Sequence, residues 1–115
     1  MLPTSLRLKN KKTFSDTFRK GKAVSNDVLM MKYKKTGTDE LKVGFSAGIR
    51  LSKKASERNK VKRWMREAVR KFSGKMRGGY QIIFVINSKF PYEQMNDSLI
   101  REKTGDLLGR AKIIK

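Results

Sequence analysis

The clearest periodic pattern in the chain covers residues 56–72, where apolar and basic side chains recur at the helical period of about 3.6 residues. One arc of this predicted helix is apolar and consists of Val61, Trp64, Met65, Ala68, Val69 and Phe72. The opposite arc carries Asn59 and the cations Arg58, Lys62, Arg63, Arg66 and Arg70. The pattern predicts a helix that docks its apolar stripe on a core and holds a cationic stripe outward. Ser56 is the expected N-cap, and Gly74 is expected to end the helix.

Two further segments have helical patterns. In residues 10–20, Phe14 and Phe18 are four positions apart and therefore fall on one helical face. Residues 92–108 predict a final helix with acidic residues in its first turn, although Gly105 interrupts an uneven apolar stripe.

Strand patterns occupy the other apolar segments, which are residues 28–34, 41–47, 49–51 and 80–86. The last of these, YQIIFVI, is a nearly unbroken apolar run, typical of a central strand buried on both faces. The polar residues 35–40 predict a hairpin turn between the first two strands. The order α-β-β-(β)-α-β-α predicts an α+β sandwich with helices packed on one small sheet of three to four strands.

The net charge of the chain indicates what kind of partner it binds. The chain has 115 residues, a formal net charge of +19 and a pI near 10.6. This length suits one domain, residues 1–115, with residues 1–8 as an extended or flexible arm. A field of this size attracts a polyanion, and nucleic acid is the first candidate. A membrane surface is the competing partner, but no apolar run approaches the roughly 20 residues of a spanning helix, and no secretory signal is evident. A cytoplasmic nucleic-acid-binding protein is expected.

The residue types that carry most enzyme chemistry are missing or dispersed. Cysteine and histidine are both absent, which excludes thiol nucleophiles, disulfides, imidazole chemistry and zinc ligation by these side chains. The ten carboxylates are scattered, whereas a two-metal nuclease needs several that converge on ions about 4 Å apart. Asp39 and Glu40 are the one adjacent pair, and they belong to the predicted turn. The residues therefore predict neither a catalytic group nor a metal site on the protein.

The density of positive charge on residues 53–77 favours an external partner. This segment contains eleven Lys or Arg residues against Glu57 and Glu67. A basic helix face is commonly just solvated, but cations with so few intramolecular partners repel one another. The imbalance favours binding of a polyanion over simple solubility.

The first predicted helix combines rings with cations. Phe14 and Phe18 are flanked by the basic residues Lys9, Lys11, Lys12, Arg19, Lys20 and Lys22. Phenylalanines at this spacing commonly belong to a core. Rings interleaved with cations also suit single-stranded nucleic acid, because bases stack on rings while cations follow the phosphates. Both interpretations of the pair stay open on the residues alone.

Several segments resemble the protein subunit of bacterial ribonuclease P. Arg58-Asn59-Lys60-Val61-Lys62-Arg63 is similar to that family's signature, in which Arg-Asn-Arg precedes an aliphatic residue and Lys-Arg. The other similar segments follow in the family's order and are Phe14, Phe18 and Gly21, then Gly44-Phe45-Ser46, Ser52-Lys53-Lys54 and residues 80–84. Lys60 departs from the usual Arg, which changes a planar fork to a point charge.

This resemblance implies a ribonucleoprotein endonuclease in which an RNA subunit with bound magnesium cleaves precursor tRNA at the 5′ end of the mature tRNA. No catalytic or metal-binding residue is then expected on the protein, and no obligate protein partner is predicted. The basic helix is expected to face the RNA subunit. The residues implied for that contact are Arg58, Asn59, Lys60, Lys62, Arg63, Arg66, Arg70, Lys53 and Lys54.

The resemblance also implies a cleft between the first helix and the sheet, which holds the single-stranded 5′ leader of precursor tRNA. The residues implied for the cleft are Phe14, Phe18, Lys11, Met30 and Lys32. A left-handed β-α-β crossover, uncommon among proteins, is a further implication that the residues themselves do not predict.

Three other functions fit parts of the pattern. A structural RNA-binding protein of ribosomal type shares the small size, the high charge and the lack of catalytic groups, and it would need no leader cleft. Non-specific coating of nucleic acid is the second. A protein-only nuclease is the third, and the scattered carboxylates argue against it.

Overall fold

A computed structural model describes residue 8, residues 11–46 and residues 52–114 of the chain. Over these residues the chain forms three α-helices, four strands and two short 3-10 helices. The elements are α1 (Lys11–Lys20), β1 (Lys22–Ser25), β2 (Leu29–Lys35), β3 (Leu41–Ser46), α2 (Ala55–Phe72), β4 (Tyr80–Ile86) and α3 (Asp97–Arg110), with 3-10 helices at Ser73–Lys75 and Tyr92–Gln94. The predicted α+β class is confirmed. Residues 1–7 of the expected arm and the short strand expected at 49–51 lie outside the described residues.

The strands form one mixed sheet in the order β1-β2-β4-β3. The β1/β2 and β2/β4 pairs are antiparallel, whereas β3 runs parallel to β4, so α2 lies in a β-α-β crossover. The central place of β4 confirms the prediction from its apolar run. The predicted hairpin is wrong, because β2 and β3 lie on opposite sides of β4. Residues 35–40 instead cross the start of β4, where the Thr36 amide donates to the Gly79 carbonyl at 2.8 Å and the Gly79 amide donates to the Glu40 carbonyl at 2.9 Å.

The edge strand β1 was not predicted, because its four residues are too few to show a period. Contacts with α3 hold it in place. The Arg110 guanidinium donates to the Ser25 carbonyl at 2.9 Å, and the Asn26 side chain donates to the Lys103 carbonyl at 3.1 Å. Tertiary contacts therefore define this strand.

One face of the sheet forms the main core with α2 and α3. Met31, Val43 and Phe84 are buried on this face, and the apolar stripe of α2 packs above them. Gly105 lets α3 approach α2 closely, because a Cβ atom at this position would lie 2.7 Å from Cζ of Phe72. The glycine that interrupts the helical pattern is thus explained by helix–helix packing.

The other face of the sheet is covered by α1. Ile83 is fully buried on this side. The Thr17 hydroxyl, also buried, donates to Oε1 of Gln81 at 3.0 Å. Gly44 makes room for the Phe14 ring, because a Cβ atom on Gly44 would lie 2.9 Å from Cε2 of Phe14. These contacts fix the position of α1 on the sheet.

Two helix starts differ from prediction. The helix α2 begins at Ala55 with Lys54 as its N-cap residue, so Ser56 lies inside the helix. The Ser52 hydroxyl organises this start, because it accepts from the Lys54 amide at 3.1 Å and donates to the Glu57 carboxylate at 2.7 Å. The last helix begins at residue 97 rather than 92. Asn96 is its N-cap residue, and the Asn96 side chain accepts a hydrogen bond from the Leu99 amide at 2.8 Å.

Candidate nucleic-acid interface

The helix α2 separates an apolar from a cationic side as its sequence predicts. Val61, Met65, Ala68 and Val69 are buried, and Trp64 is half-buried against the core. The predicted RNA-binding residues occupy the remaining arc with half-buried or exposed side chains, and they are Arg58, Asn59, Lys60, Lys62, Arg63, Arg66 and Arg70. Lys53 and Lys54 are exposed immediately before the helix. We call these nine residues the α2 basic face.

Several cations of the α2 basic face contact other groups of the protein. Arg58 donates from Nη1 to the Ser52 carbonyl at 2.8 Å. The Arg66 guanidinium lies 6.0 Å from the ring centroid of Phe45, and the Lys60 ammonium lies 5.5 Å from that of Trp64. These contacts restrict the side chains before any partner arrives, which lowers the entropy lost on binding.

Carboxylates neutralise a minor part of the α2 basic face. Arg70 donates from Nε and Nη2 to one oxygen of Glu67 at 3.2 and 2.9 Å, and Lys54 lies 3.9 Å from Glu57. Arg63, by contrast, is exposed and has no ion pair with a carboxylate among the described residues. The contact with Glu67 therefore leaves Arg70 less available to a partner than Arg63.

A second candidate surface lies where α1 crosses the sheet. Phe18 is 42% exposed, and the Lys32 ammonium lies 5.6 Å from its ring centroid. Met30 is half-buried two residues before Lys32 on the same face of β2. Phe14 is half-buried, with its ring beside Gly44. We call Phe18, Lys32 and Met30 the α1 patch, and it brings together three of the five predicted leader-binding residues.

The remaining prediction for this surface concerns Lys11, the first residue of α1, whose side chain lies outside the described part of the chain. Sequence reasoning missed Thr17 and Gln81, whose hydrogen bond positions the α1 patch. The spacing of Thr17 three residues after Phe14 places both on one helical face and could have indicated it.

Neither a metal site nor a membrane span is found in the described segments. No group of three or more Asp or Glu side chains that could hold a metal ion is found there. No described helix is long and apolar enough to cross a membrane.

The fold and its surfaces define a class: small, strongly basic α+β proteins that carry a cationic helix and an aromatic–cationic patch on one sheet. The model of the Ribonuclease P family matches residues 2–112. The chain belongs to this family.

Relatives and solved structures agree with this assignment. The Ribonuclease P protein component of Thermotoga petrophila is 32% identical over 106 residues, which cover 90% of each chain. That of Symbiobacterium thermophilum is 31% identical over 113 residues, covering 95% of this chain and 93% of the relative. The structure of the RNase P protein from Thermotoga maritima is 31% identical with a TM-score of 0.79, covering 90% of this chain and 96% of that one. The RNase P protein of Staphylococcus aureus, 24% identical, shares the fold with a TM-score of 0.85 over 97% of this chain and 100% of its own.

Proposed function

We propose that this chain is the protein subunit of a ribonuclease P-type ribonucleoprotein that removes the 5′ leader from precursor tRNA in the cytoplasm. The observation that carries the proposal is the α2 basic face, set opposite a buried stripe on one rigid helix. Family membership supports it. Hydrolysis belongs to the RNA partner and its magnesium ions in this proposal. The lack of histidine and cysteine, and of any three converging carboxylates among the described residues, supports this division.

The α2 basic face binds the catalytic RNA subunit. Guanidinium groups form forked hydrogen bonds with phosphate oxygens, and the helix holds them in a row. Each phosphate neutralised on single-stranded or duplex nucleic acid contributes about 0.7 to 0.9 to the log–log salt slope. Binding to the RNA subunit is therefore steeply salt-dependent.

The α1 patch binds the single-stranded leader. A base stacks on the exposed Phe18 ring while the Lys32 ammonium beside it neutralises a phosphate. Stacking of this kind tolerates any base, which suits a substrate class with varied leaders. A duplex would not expose the faces of its bases to such a ring.

The net charge of +19 also lowers the magnesium concentration that cleavage requires. Protein cations screen the repulsion between the RNA subunit and its substrate, which magnesium ions must otherwise screen. An unchanged magnesium optimum on addition of the protein would refute this part of the proposal.

The test is cleavage of precursor tRNA by a bacterial ribonuclease P RNA at low magnesium, with and without the protein, on substrates with long and very short leaders. We expect stimulation that is larger for the long leader. Phe18→Ala should weaken leader binding by about 1–3 kcal/mol, the usual contribution of one stacked base. Arg63→Gln should lower the salt slope of RNA-subunit binding by about 0.7 to 0.9.

Lys89→Gln is the matched control, because Lys89 is an exposed cation outside both surfaces. It should change neither quantity appreciably. No stimulation by the protein, together with tight binding to other structured RNA, would instead favour a structural RNA-binding protein of ribosomal type.

A further inference from the structure

A cavity of about 530 Å³ lies at the end of the sheet where β2 ends and β4 begins. Two tyrosines and one alanine line it, together with six cations, and the full lining is Tyr33, Tyr80, Ala111, Lys20, Lys22, Lys34, Lys35, Arg77 and Lys112. We call it the tyrosine pocket. None of the nine residues of the α2 basic face lines the tyrosine pocket.

The walls of the tyrosine pocket are anchored in the fold. Tyr33 and Tyr80 pack against the core, with ring centroids 6.4 Å apart and ring planes at 56°. The Tyr80 amide donates to the Glu40 carbonyl at 3.2 Å, and Gly79 reaches φ +83°, a conformation that glycine adopts freely. A smaller cavity of about 370 Å³ shares Lys35, Arg77 and Tyr80 with the tyrosine pocket, so the two cavities are adjacent.

The charge of the tyrosine pocket favours an anionic ligand. None of its nine lining residues is acidic. No carboxylate of the described residues pairs with its six cations within 4.0 Å. Asp16 on α1 instead accepts from Arg19 at 3.1 Å, a hydrogen bond that lowers the pKa of its carboxyl. The volume falls within the roughly 300–1,000 Å³ of typical small-ligand sites, and rings beside cations suit a base together with its phosphate.

The tyrosine pocket continues the path of the α1 patch. Lys34 lies two residues after Lys32 on the same face of β2. Lys20 lies two residues after Phe18, and the next residue, Gly21, is so close to β2 that a Cβ atom on it would lie 2.9 Å from the Tyr33 carbonyl oxygen. Tyr33 and Tyr80 face the α2/α3 side of the sheet, whereas Lys34 faces α1. A single strand that leaves Phe18 towards the end of α1 would therefore reach Lys20 and Lys34 first, and would pass around the end of the sheet to reach the two rings.

We propose that the tyrosine pocket binds nucleotides of single-stranded RNA that extend beyond the α1 patch, so that a long leader contacts two successive sites. This inference rests on the proposed leader-binding function. It predicts that the affinity for single-stranded RNA increases once the strand is long enough to occupy the pocket as well as the α1 patch.

The test compares binding of an RNA strand of about four nucleotides with one of about twelve, which span the common range of single-strand site sizes. The pocket variant is Lys35→Gln/Arg77→Gln, because both side chains are exposed and line both cavities. It should lower the salt slope for the long strand by about 1.4, or 0.7 for each of two phosphates, and leave the short strand unchanged. The control variant Lys89→Gln/Arg101→Gln removes the same charge away from the pocket and should affect both strands slightly and equally.

A second measurement tests the contact itself. A photoreactive 4-thiouridine at the end of the long strand that extends beyond the α1 patch should cross-link to peptides that contain Tyr33 or Tyr80. Cross-links confined to α2, or equal effects of the pocket and control variants on the long strand, would overturn the inference. If Phe18→Ala also leaves the short strand unaffected, the proposed leader function fails. If Phe18→Ala weakens the short strand, only the pocket inference fails.

Discussion

The hydrogen bond between Thr17 and Gln81 predicts how firmly α1 is attached to the sheet. Thr17→Val keeps the size and β-branching of the side chain but removes the donor. In the wild type, the Thr17 hydroxyl lies 3.0 Å from Oε1 of Gln81, and Thr17 is fully buried. In the variant, Oε1 of Gln81 loses this hydrogen-bond donor. An unsatisfied buried acceptor costs about 1–3 kcal/mol, and the half-buried Gln81 points to the lower end of that range. A loss of about 1 kcal/mol should lower the melting temperature by about 4 °C.

The assay is urea and thermal unfolding followed by circular dichroism in a double-mutant cycle. Gln81→Met removes the acceptor, and in the double variant Thr17→Val/Gln81→Met neither partner is left unsatisfied. We expect a coupling free energy of about 1 kcal/mol between the two sites. Ser15→Ala, on the exposed side of α1, serves as the control and should be nearly neutral. Additive effects of the two substitutions would refute the conclusion that this hydrogen bond secures α1.

Two further predictions concern stability. Gly78→Ala should destabilise the protein by about 1–3 kcal/mol in urea unfolding, because the new Cβ atom would collide with a backbone carbonyl oxygen of the 35–40 turn. Gly74→Ala is the control and should be neutral or slightly stabilising, because open space surrounds its Cβ position. Equal effects of Gly78→Ala and Gly74→Ala on the free energy of unfolding would contradict the steric explanation. Hydrogen bonds from Asn26 and then from Arg110 lower the pKa of the Asp106 carboxyl below its usual range near 3.9. Its contribution to stability is therefore complete above about pH 5 and is lost as the pH falls through the folded-state pKa, so the difference in melting temperature between wild type and Asp106→Asn should shrink between about pH 5 and pH 2. A constant difference across that range would contradict this account.

Local patterns determined most of the elements and one of the two candidate surfaces. The alternation on α2 predicted both its buried stripe and its cationic arc, because in a helix sequence spacing alone sets which side chains share a face. The apolar run of β4 predicted its central place in the same way. The absence of cysteine and histidine limits the chemistry of the side chains whatever fold the chain adopts.

The tertiary structure decided which elements meet. Strand order is a non-local property, so the turn at residues 35–40 could not reveal that β4 would separate β2 from β3. The strand β1 depends on contacts such as that between Arg110 and Ser25, which are 85 positions apart in the chain.

Both the α1 patch and the tyrosine pocket depend on pairings of this non-local kind. Thr17 and Gln81, which position α1, are 64 positions apart, and the lining of the pocket extends from Lys20 to Lys112. Spacing along the chain specifies the face of a helix, whereas a site between elements exists only after the sheet has paired and the helices have packed on it.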